Sequence, residues 1–289
     1  MKKSKIKIPA KINLSLDVLG VTGNFHDIKS LVTSVDVYDQ ITAQKRTDKR
    51  ITLKVEGNPI DCHVVDNNAY KAGKLFVQKT GVLGANITIK KQIPIGGGLG
   101  GSSADIAGVL LCMEELYQTG ANLNELAGAL GSDAPYMLTG GYAVIEGRGE
   151  KVTKKQIDTV LYLILIPEEK STSARAVYKE YDKAGKTYKP CTENVEKALK
   201  EGELAKFVQY AKNDLAQSAG TLVPEITANV LALKKAGAIT ALVTGSGSCC
   251  YGVFCSKKER DNAFRKLKAL YGNVLIKAQT LPCGVQKPN

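Results

Sequence analysis

Tryptophan is absent from the 289-residue sequence, and phenylalanine and tyrosine together supply only 6% of it. Proteins that bind single-stranded nucleic acids by base stacking rely on exposed aromatic side chains. The composition therefore argues against a base-stacking surface, even though the formal net charge is +12. Because the lysines and arginines are spread along the chain, the charge indicates a solvated surface and gives weak support to polyanionic small ligands.

Long hydrophobic runs are also lacking. The longest apolar segment, LYLILIP at residues 161–167, is too short to cross a bilayer as a helix. The basic N-terminal segment MKKSKIKIPAKINLSLDVLG has no apolar core of the kind that signal peptides contain, because polar residues alternate with its apolar ones. We therefore expect a cytoplasmic protein with no membrane partner.

Paired cysteine motifs are missing as well. The chain has seven cysteines, an odd number, and no Cys-x-x-Cys pair occurs. This pattern argues against a structural zinc site or a disulfide framework and favours buried free thiols. Hydrophobic residues make up 44% of the chain, which is enough for one large or two medium domains. We place a boundary near residue 155, with domains at 1–155 and 156–289.

Hydrophobic periodicity predicts mixed secondary structure. Residues 12–18 alternate between apolar and polar side chains, which predicts a half-buried strand with Lys11 and Asn13 on its polar face. Further strands are predicted at 31–37, 51–55, 87–89, 142–146 and 161–167, and a strand, glycine turn and strand at 241–255. Helices are predicted at 67–80, 106–117, 193–212, 224–235 and 261–270.

The segment IPIGGGLGGSSADIAGVLLCMEELY, at 93–117, places five glycines and two serines before an amphipathic helix. Glycine allows the backbone to approach an anion closely, and the first N–H groups of a helix have no partner within the helix. This combination predicts a phosphate-binding loop. It is not a Walker A loop, because no G-x-x-x-x-G-K-[ST] string occurs. Gly96, Gly98 and Gly101 satisfy G-x-G-x-x-G, but Pro94 is awkward in a central parallel strand.

Three segments in a fixed order resemble the motifs of the GHMP kinase superfamily: PAKINLSLDV (9–18), PIGGGLGGSSADIA (94–107) and VTGSGSCCYGVF (243–254). The resemblance implies an α+β fold with a ribosomal-S5-like N-terminal domain and a ferredoxin-like C-terminal domain. ATP and substrate are then expected in the cleft between the domains.

Further segments resemble one branch of that superfamily: LGSDAPYMLTGGYAVIEGRGE (130–150), DNNAYKA (66–72), NDL (213–215) and VPEI (223–226). Members of this branch phosphorylate the 2-hydroxyl of an alcohol linked to cytidine diphosphate, in the non-mevalonate route to isoprenoids. The resemblance therefore implies ATP and Mg²⁺ as cofactors and a small-molecule substrate. It implies a monomer or homodimer that binds no nucleic acid.

The resemblance also assigns roles to individual residues. Lys11 and Asp133 match the catalytic pair, and Asn13, Phe25 and His26 match substrate-binding positions, although Phe25 stands where the family usually has tyrosine. The expected ATP loop comprises Pro94, Ile95, Gly96, Gly97, Gly98, Leu99, Gly100, Gly101, Ser102, Ser103 and Ala104. Ser102 and Ser103 are candidates to help hold magnesium, and the metal ligands are otherwise unassigned. The loop reads GGGLGGSSAD where GGGLGGGSS is more usual.

Four alternatives remain open at this point. In the first, the chain is a GHMP kinase whose acceptor is a different small alcohol. In the second, the chain binds nucleotide but has no kinase activity. The glycine spacing alone also permits an oxidoreductase that uses a nicotinamide cofactor. The S5-like fold and the basic charge also permit an RNA-binding protein, for which affinity would fall steeply with salt.

Overall fold

The structure is a computed structural model, and it describes residues 2–58, 62–170, 172–184, 189–282 and 284. The described ranges contain strands β1 (Lys3–Asn13), β2 (Asp17–Thr22), β3 (Phe25–Lys45), β4 (Thr52–Gly57), β5 (Ala85–Lys91), β6 (Ala143–Gly147), β7 (Lys151–Lys154), β8 (Tyr162–Ile166), β9 (Thr240–Val243), β10 (Cys250–Phe254) and β11 (Ile276–Leu281). They also contain helices α1 (Asn68–Thr80), α2 (Gly101–Tyr117), α3 (Leu123–Gly128), α4 (Ala134–Met137), α5 (Ala174–Lys183), α6 (Thr192–Lys200), α7 (Leu204–Tyr210), α8 (Ala216–Leu222), α9 (Glu225–Lys235) and α10 (Lys257–Tyr271). The fold is therefore α+β, as expected.

Strand β3 organises the sheet. It runs for 21 residues and pairs in antiparallel fashion with β1, β2, β5, β6 and β11. Strand β4 joins the edge of β5 in parallel. Strand β11 pairs with β3 on one side and β8 on the other, so the strand order β4-β5-β3-β11-β8-β10-β9 is continuous. One hydrogen-bonded sheet thus links both halves of the chain, and the boundary near residue 155 stays a prediction.

Helix α2 carries the end of the glycine loop and is buried on most of its circumference. We expected an amphipathic helix, and this expectation is wrong because α2 lies between the strands β1 and β3 and the helix α1. At Gly108 the backbone of α2 lies close to the side chains of the sheet. A Cβ atom at this position would lie 2.6 Å from Cδ1 of Ile41, so a larger side chain would push the helix off the sheet.

The predicted strand at 12–18 is two strands in the structure. Strand β1 ends at Asn13 and β2 begins at Asp17. A half-buried strand was expected, but the polar residues Asn13, Ser15 and Asp17 are buried as well. Their polar atoms bind the protein instead: the Ser15 hydroxyl accepts the N–H of Leu31 at 3.0 Å, and the Asp17 carboxylate accepts N–H groups at the start of α6.

Most other predicted elements are confirmed with shifted ends, including helices α1, α9 and α10 and the strand–turn–strand unit of β9 and β10. The predicted helix at 193–212 is two helices, α6 and α7, because the chain turns at Gly202 with a φ of +72°. Helices α3, α4, α5 and α8 and strands β7 and β11 were not predicted. Cys62 and Cys255 are exposed, which contradicts the expectation of buried thiols at these two positions. Within the described ranges, no helix combines the length and apolar character that crossing a membrane would require.

Thr280 of β11 supports the junction between the two halves of the sheet. Its hydroxyl is buried, accepts the N–H of Leu161 at 2.9 Å and lies 3.1 Å from the Tyr142 hydroxyl. Thr280→Val keeps the shape but leaves the N–H of Leu161 without an acceptor. We expect the free energy of unfolding to fall by about 1–3 kcal/mol in urea titrations. The control Thr47→Val, at an exposed position, should change the free energy of unfolding by less than about 0.5 kcal/mol. Equal losses in both variants would contradict the role assigned to the Thr280 hydroxyl.

Candidate active site

The side chains of Lys11 and Asp133 meet in a large cavity. The Lys11 ammonium lies 3.2 Å from Oδ2 of Asp133 and 2.8 Å from Oδ1 of Asn13. Asp133 occupies the position before helix α4, where aspartate often caps a helix, yet its carboxylate makes no capping hydrogen bond. Lys11 is 6% exposed in its side chain and Asp133 31%, so the carboxylate of the pair faces the cavity.

Asn13 joins Lys11 to the C-terminal half of the chain. Its Oδ1 accepts hydrogen bonds from Lys11 and from the Thr244 hydroxyl at 3.1 Å, and its Nδ2 donates to the Ser30 hydroxyl at 2.8 Å. Its backbone N–H donates to the Thr244 oxygen at 3.0 Å, and its carbonyl accepts from the Tyr251 hydroxyl at 2.7 Å. Asn13, which was predicted to bind substrate, lines the cavity, but both ends of its amide already bind the protein.

The glycine loop packs against the second glycine turn, at 245–248. Gly96, Gly98 and Gly100 have positive φ angles. At Gly98, with φ of +74°, a Cβ atom would lie 2.4 Å from the Thr244 carbonyl oxygen, so only glycine fits without a shift. The carbonyl of Gly97 accepts the N–H of Cys249 at 3.1 Å. The two turns therefore form one wall of the cavity.

The predicted loop residues from Pro94 to Ser103 all line the cavity, whereas the buried Ala104 is not among the described lining residues. Helix α2 begins at Gly101 after a Gly100 cap, so the cap residue has no side chain to bind the first N–H groups of the helix. These groups favour an anion. The hydroxyl of Ser102 accepts a hydrogen bond from Asn68 at 2.9 Å.

A buried charge cluster, which sequence reasoning missed, braces this loop. The Lys91 ammonium lies 2.5 Å from Oδ2 of Asp39 and 2.6 Å from Oδ2 of Asp105, and it also donates to the Gly101 carbonyl at 3.1 Å. The other oxygen of Asp39 accepts the N–H groups of residues 92 and 93. Lys91 therefore connects the entrance of the loop to its exit.

A signal for this cluster exists in the sequence. Strand β5 buries alternate residues, and Lys91 follows Ile87 and Ile89 on the inward face. Asp39 lies between Val37 and Ile41 on the inward face of β3 in the same way. Opposite charges on the inward faces of two strands predict a buried ion pair, because an unpaired charge is costly to bury.

Burial decides the protonation of this cluster. It raises the pKa of the Asp105 carboxyl to about 7, against the opposing charge of Lys91. Burial lowers the pKa of the Lys91 ammonium, but the carboxylates of Asp105 and Asp39 outweigh this effect, so its pKa is raised. Oδ1 of Asp105 is buried and has no hydrogen-bond partner among the described residues.

The opposite end of the cavity is aromatic. The His26 ring stacks on Tyr178, with ring centres 4.6 Å apart, and its Nε2 lies 2.8 Å from Oδ1 of Asp182. Phe25 is 54% exposed, and the Arg148 guanidinium lies 4.8 Å from the centre of its ring. Tyr178 and Asp182 belong to α5, so they were missed together with this helix. The predicted residues Phe25 and His26 thus line the same cavity as Lys11 and Asp133.

The cavity has a volume of about 1330 Å³. It places an anion-binding loop at one end, an ammonium–carboxylate pair in the middle and aromatic side chains at the other end. A carboxylate beside a lysine is suited to accept a proton from a hydroxyl while the ammonium stabilises negative charge. This arrangement suits the transfer of a phosphoryl group between two bound molecules.

Comparisons with known proteins agree with this chemistry. Residues 67–141 match the GHMP kinases N terminal domain, and residues 195–273 match the GHMP kinases C terminal domain. A 4-diphosphocytidyl-2-C-methyl-D-erythritol kinase from Clostridium tetani is 34% identical over 94% of this chain and 98% of the relative. A protein of the same name from Cutibacterium acnes is 35% identical, with 85% and 84% covered.

Solved structures share the fold. A crystal structure of 4-(cytidine 5'-diphospho)-2C-methyl-D-erythritol kinase matches with a TM-score of 0.81 and 26% identity, covering 96% of this chain and 98% of that one. A homoserine kinase from Cytophaga hutchinsonii matches with a TM-score of 0.77 at 15% identity, which supports the fold alone.

The raised pKa of Asp105 makes a prediction about stability. Below pH 7 the folded chain keeps a proton on this carboxyl that the unfolded chain releases near pH 4, so stability from this group falls as pH rises through that window. Asp105→Asn removes this titration. The parent therefore loses stability between pH 5 and pH 8 that the variant keeps. In urea titrations, we expect the unfolding free energy of the variant minus that of the parent to rise by about 2–3 kcal/mol from pH 5 to pH 8.

The matched control is Asp158→Asn, which changes an exposed aspartate in the same way. Its unfolding free energy should follow that of the parent across the pH range. If the difference between Asp105→Asn and the parent does not change with pH, the raised pKa of Asp105 is refuted.

Proposed function

Since the chain belongs to the GHMP kinase family, in the group of the 4-diphosphocytidyl-2-C-methyl-D-erythritol kinases, we infer that it transfers the γ-phosphoryl group of ATP to the 2-hydroxyl of 4-diphosphocytidyl-2-C-methyl-D-erythritol. The observation that best supports this function is the Lys11–Asp133 ion pair, which lies in one cavity with the glycine loop and with His26. The chain is thus an ATP-dependent phosphotransferase with an alcohol as acceptor.

Asp133 and Lys11 divide the chemical work in this proposal. The partly exposed carboxylate of Asp133 accepts the proton of the acceptor hydroxyl, and the hydroxyl oxygen bonds the γ-phosphorus. The bond between that phosphorus and the bridging oxygen of ATP breaks, and ADP leaves. The Lys11 ammonium stabilises the negative charge on the transferring group and also holds the carboxylate in place from 3.2 Å. Asn13 positions Lys11 through its hydrogen bond to the ammonium.

The glycine loop holds the phosphates of ATP in this proposal. The N–H groups at the start of α2 and the close packing of the loop against the second glycine turn favour this role. Mg²⁺ prefers oxygen ligands and retains several waters when it binds nucleotides. Ser102 and Ser103 line the cavity, so their hydroxyl oxygens would help to hold the ion, which would neutralise phosphate charge when bound.

The acceptor lies toward Phe25 and His26. The exposed ring of Phe25 offers a stacking surface, and the His26 ring, which lies against Tyr178, offers ring nitrogens for a nucleobase. Phenylalanine supplies this surface without the hydroxyl of tyrosine.

We also propose that the chain divides into two domains near residue 155. We propose further that it acts as a monomer or homodimer and binds no nucleic acid.

Asp133→Asn provides the direct test. ADP release is measured with Mg-ATP and 4-diphosphocytidyl-2-C-methyl-D-erythritol. We expect kcat to fall by a factor of about 10²–10⁴, because an amide cannot accept the proton. Calorimetric titration with ATP should show that the variant still binds nucleotide, since Asp133 lies outside the glycine loop.

Two outcomes would contradict the proposal in different ways. A wild-type kcat in Asp133→Asn would exclude Asp133 as the base. No turnover of the cytidine-linked acceptor by the parent protein, with turnover of mevalonate or homoserine instead, would assign a different acceptor to the same site.

Gly98→Ala tests the role of the loop. The added methyl group meets the Thr244 carbonyl, so the two glycine turns must separate. We expect ATP affinity, measured by calorimetry, to fall about tenfold or more. Gly81→Ala is the matched control, because Gly81 has the same φ of +74° but nothing lies within 4 Å of its added Cβ. Equal ATP affinity in the two variants would argue against the loop as the nucleotide site.

A further inference from the structure

Three cations line the acceptor end of the cavity: Arg148, Arg175 and Lys179. Within the described ranges, none of the three forms an ion pair, whereas the cavity lysines Lys11 and Lys91 are both paired with carboxylates. Unpaired cations that converge on one cavity raise the local concentration of anionic ligands. This end of the cavity therefore has an excess of positive charge that the described part of the protein does not pair.

The carboxylates of Asp182 and Asp133, which line the cavity, are already engaged. Asp182 binds His26, and Asp133 binds Lys11. Glu150 accepts the backbone N–H of Arg148 at 2.8 Å, which shapes the turn but leaves the guanidinium over the Phe25 ring. The Arg148 side chain is thus held at the cavity by an aromatic contact and forms no ion pair with any described carboxylate.

Arg175 lies in an electrostatically unfavourable place. It is the second residue of α5, where the N-terminal end of the helix dipole carries partial positive charge, and no acidic residue stands in the first turn. A cation at this end is destabilising unless an anion binds there. Because Arg175 also lines the cavity, a bound anion would satisfy both the arginine and the helix end.

The order of groups along the cavity identifies the anion. The turn that carries Arg148 adjoins Asp133, because a Cβ atom at Gly149 would lie 3.4 Å from Oδ1 of Asp133. On its other side, Arg148 contacts Phe25, the neighbour of His26. Arg148 therefore lies between the proposed base for the hydroxyl and the proposed nucleobase site. In a cytidine diphosphate-linked alcohol, the diphosphate lies between the hydroxyl and the base.

We propose that Arg148 and Arg175, assisted by Lys179, bind the diphosphate of the acceptor and select acceptors that carry one. This inference rests on the proposed function, because it assigns the middle of that acceptor to these side chains. Arginine suits the task, since its planar guanidinium binds two phosphate oxygens at once.

The test compares the binding of cytidine 5'-diphosphate and of cytidine by calorimetry. The variants are Arg148→Met and Arg175→Met, and Arg148→Lys retains the charge. Lys258→Met, which removes an exposed cation outside the cavity, is the matched control. We expect each arginine-to-methionine variant to bind cytidine 5'-diphosphate about tenfold more weakly, with cytidine affinity unchanged. Arg148→Lys should recover part of the loss, and Lys258→Met should match the parent.

Steady-state kinetics supply a second readout. Arg148→Met should raise KM for the acceptor about tenfold while KM for ATP stays constant. The proposal is overturned if both variants bind cytidine 5'-diphosphate like the parent, if they lose affinity for cytidine equally, or if the parent binds neither ligand. If binding depends on Arg148 but the parent does not phosphorylate the cytidine-linked acceptor, the proposed function fails and the diphosphate site stands.

Discussion

The buried hydrogen bonds of Asn13 are the constraint on which the rest of the site depends. Through Thr244 and Tyr251 they join strand β1 to the second glycine turn and to strand β10. The same amide holds the Lys11 ammonium. Each group would cost about 1–3 kcal/mol if left buried without its partner, so the parts cannot separate cheaply. The lysine, the glycine loop and the second glycine turn are therefore positioned as one unit.

Sequence reasoning succeeded where a local pattern has one physical meaning. Helix α1 shows its period and begins after Asn67, whose side chain caps it by accepting the N–H of Ala69. The glycine loop was recognisable because positive φ angles and close backbone contacts demand glycine. The pairing of Lys11 with Asp133 was predicted only through resemblance, because no local rule relates two residues so far apart in the sequence.

The failures have physical reasons too. Alternation at 12–18 looks the same whether the polar face meets water or buried hydrogen-bond partners, and here Asn13 and Asp17 are buried. Helix α5 does carry a helical period, because Val177, Tyr178 and Tyr181 recur on one face that packs against the core, and this signal was overlooked among its charged residues. Tyr178 and Asp182 were lost with it, and with them the partners of His26. The inward-facing charges of Asp39 and Lys91 are visible in the sequence, but their pairing, and that with Asp105, depends on which elements are neighbours.

The pairing of β11 with β3 has a consequence for how the protein is made. The N–H of Gln279 bonds Oδ1 of Asp36, a residue 243 positions earlier in the chain. At a typical elongation rate, about 10–50 s separate the synthesis of these two partners. Until β11 leaves the ribosome, part of one edge of β3 has no partner, and exposed strand edges promote association between chains. During this interval the nascent N-terminal half exposes a strand edge with which another chain can pair.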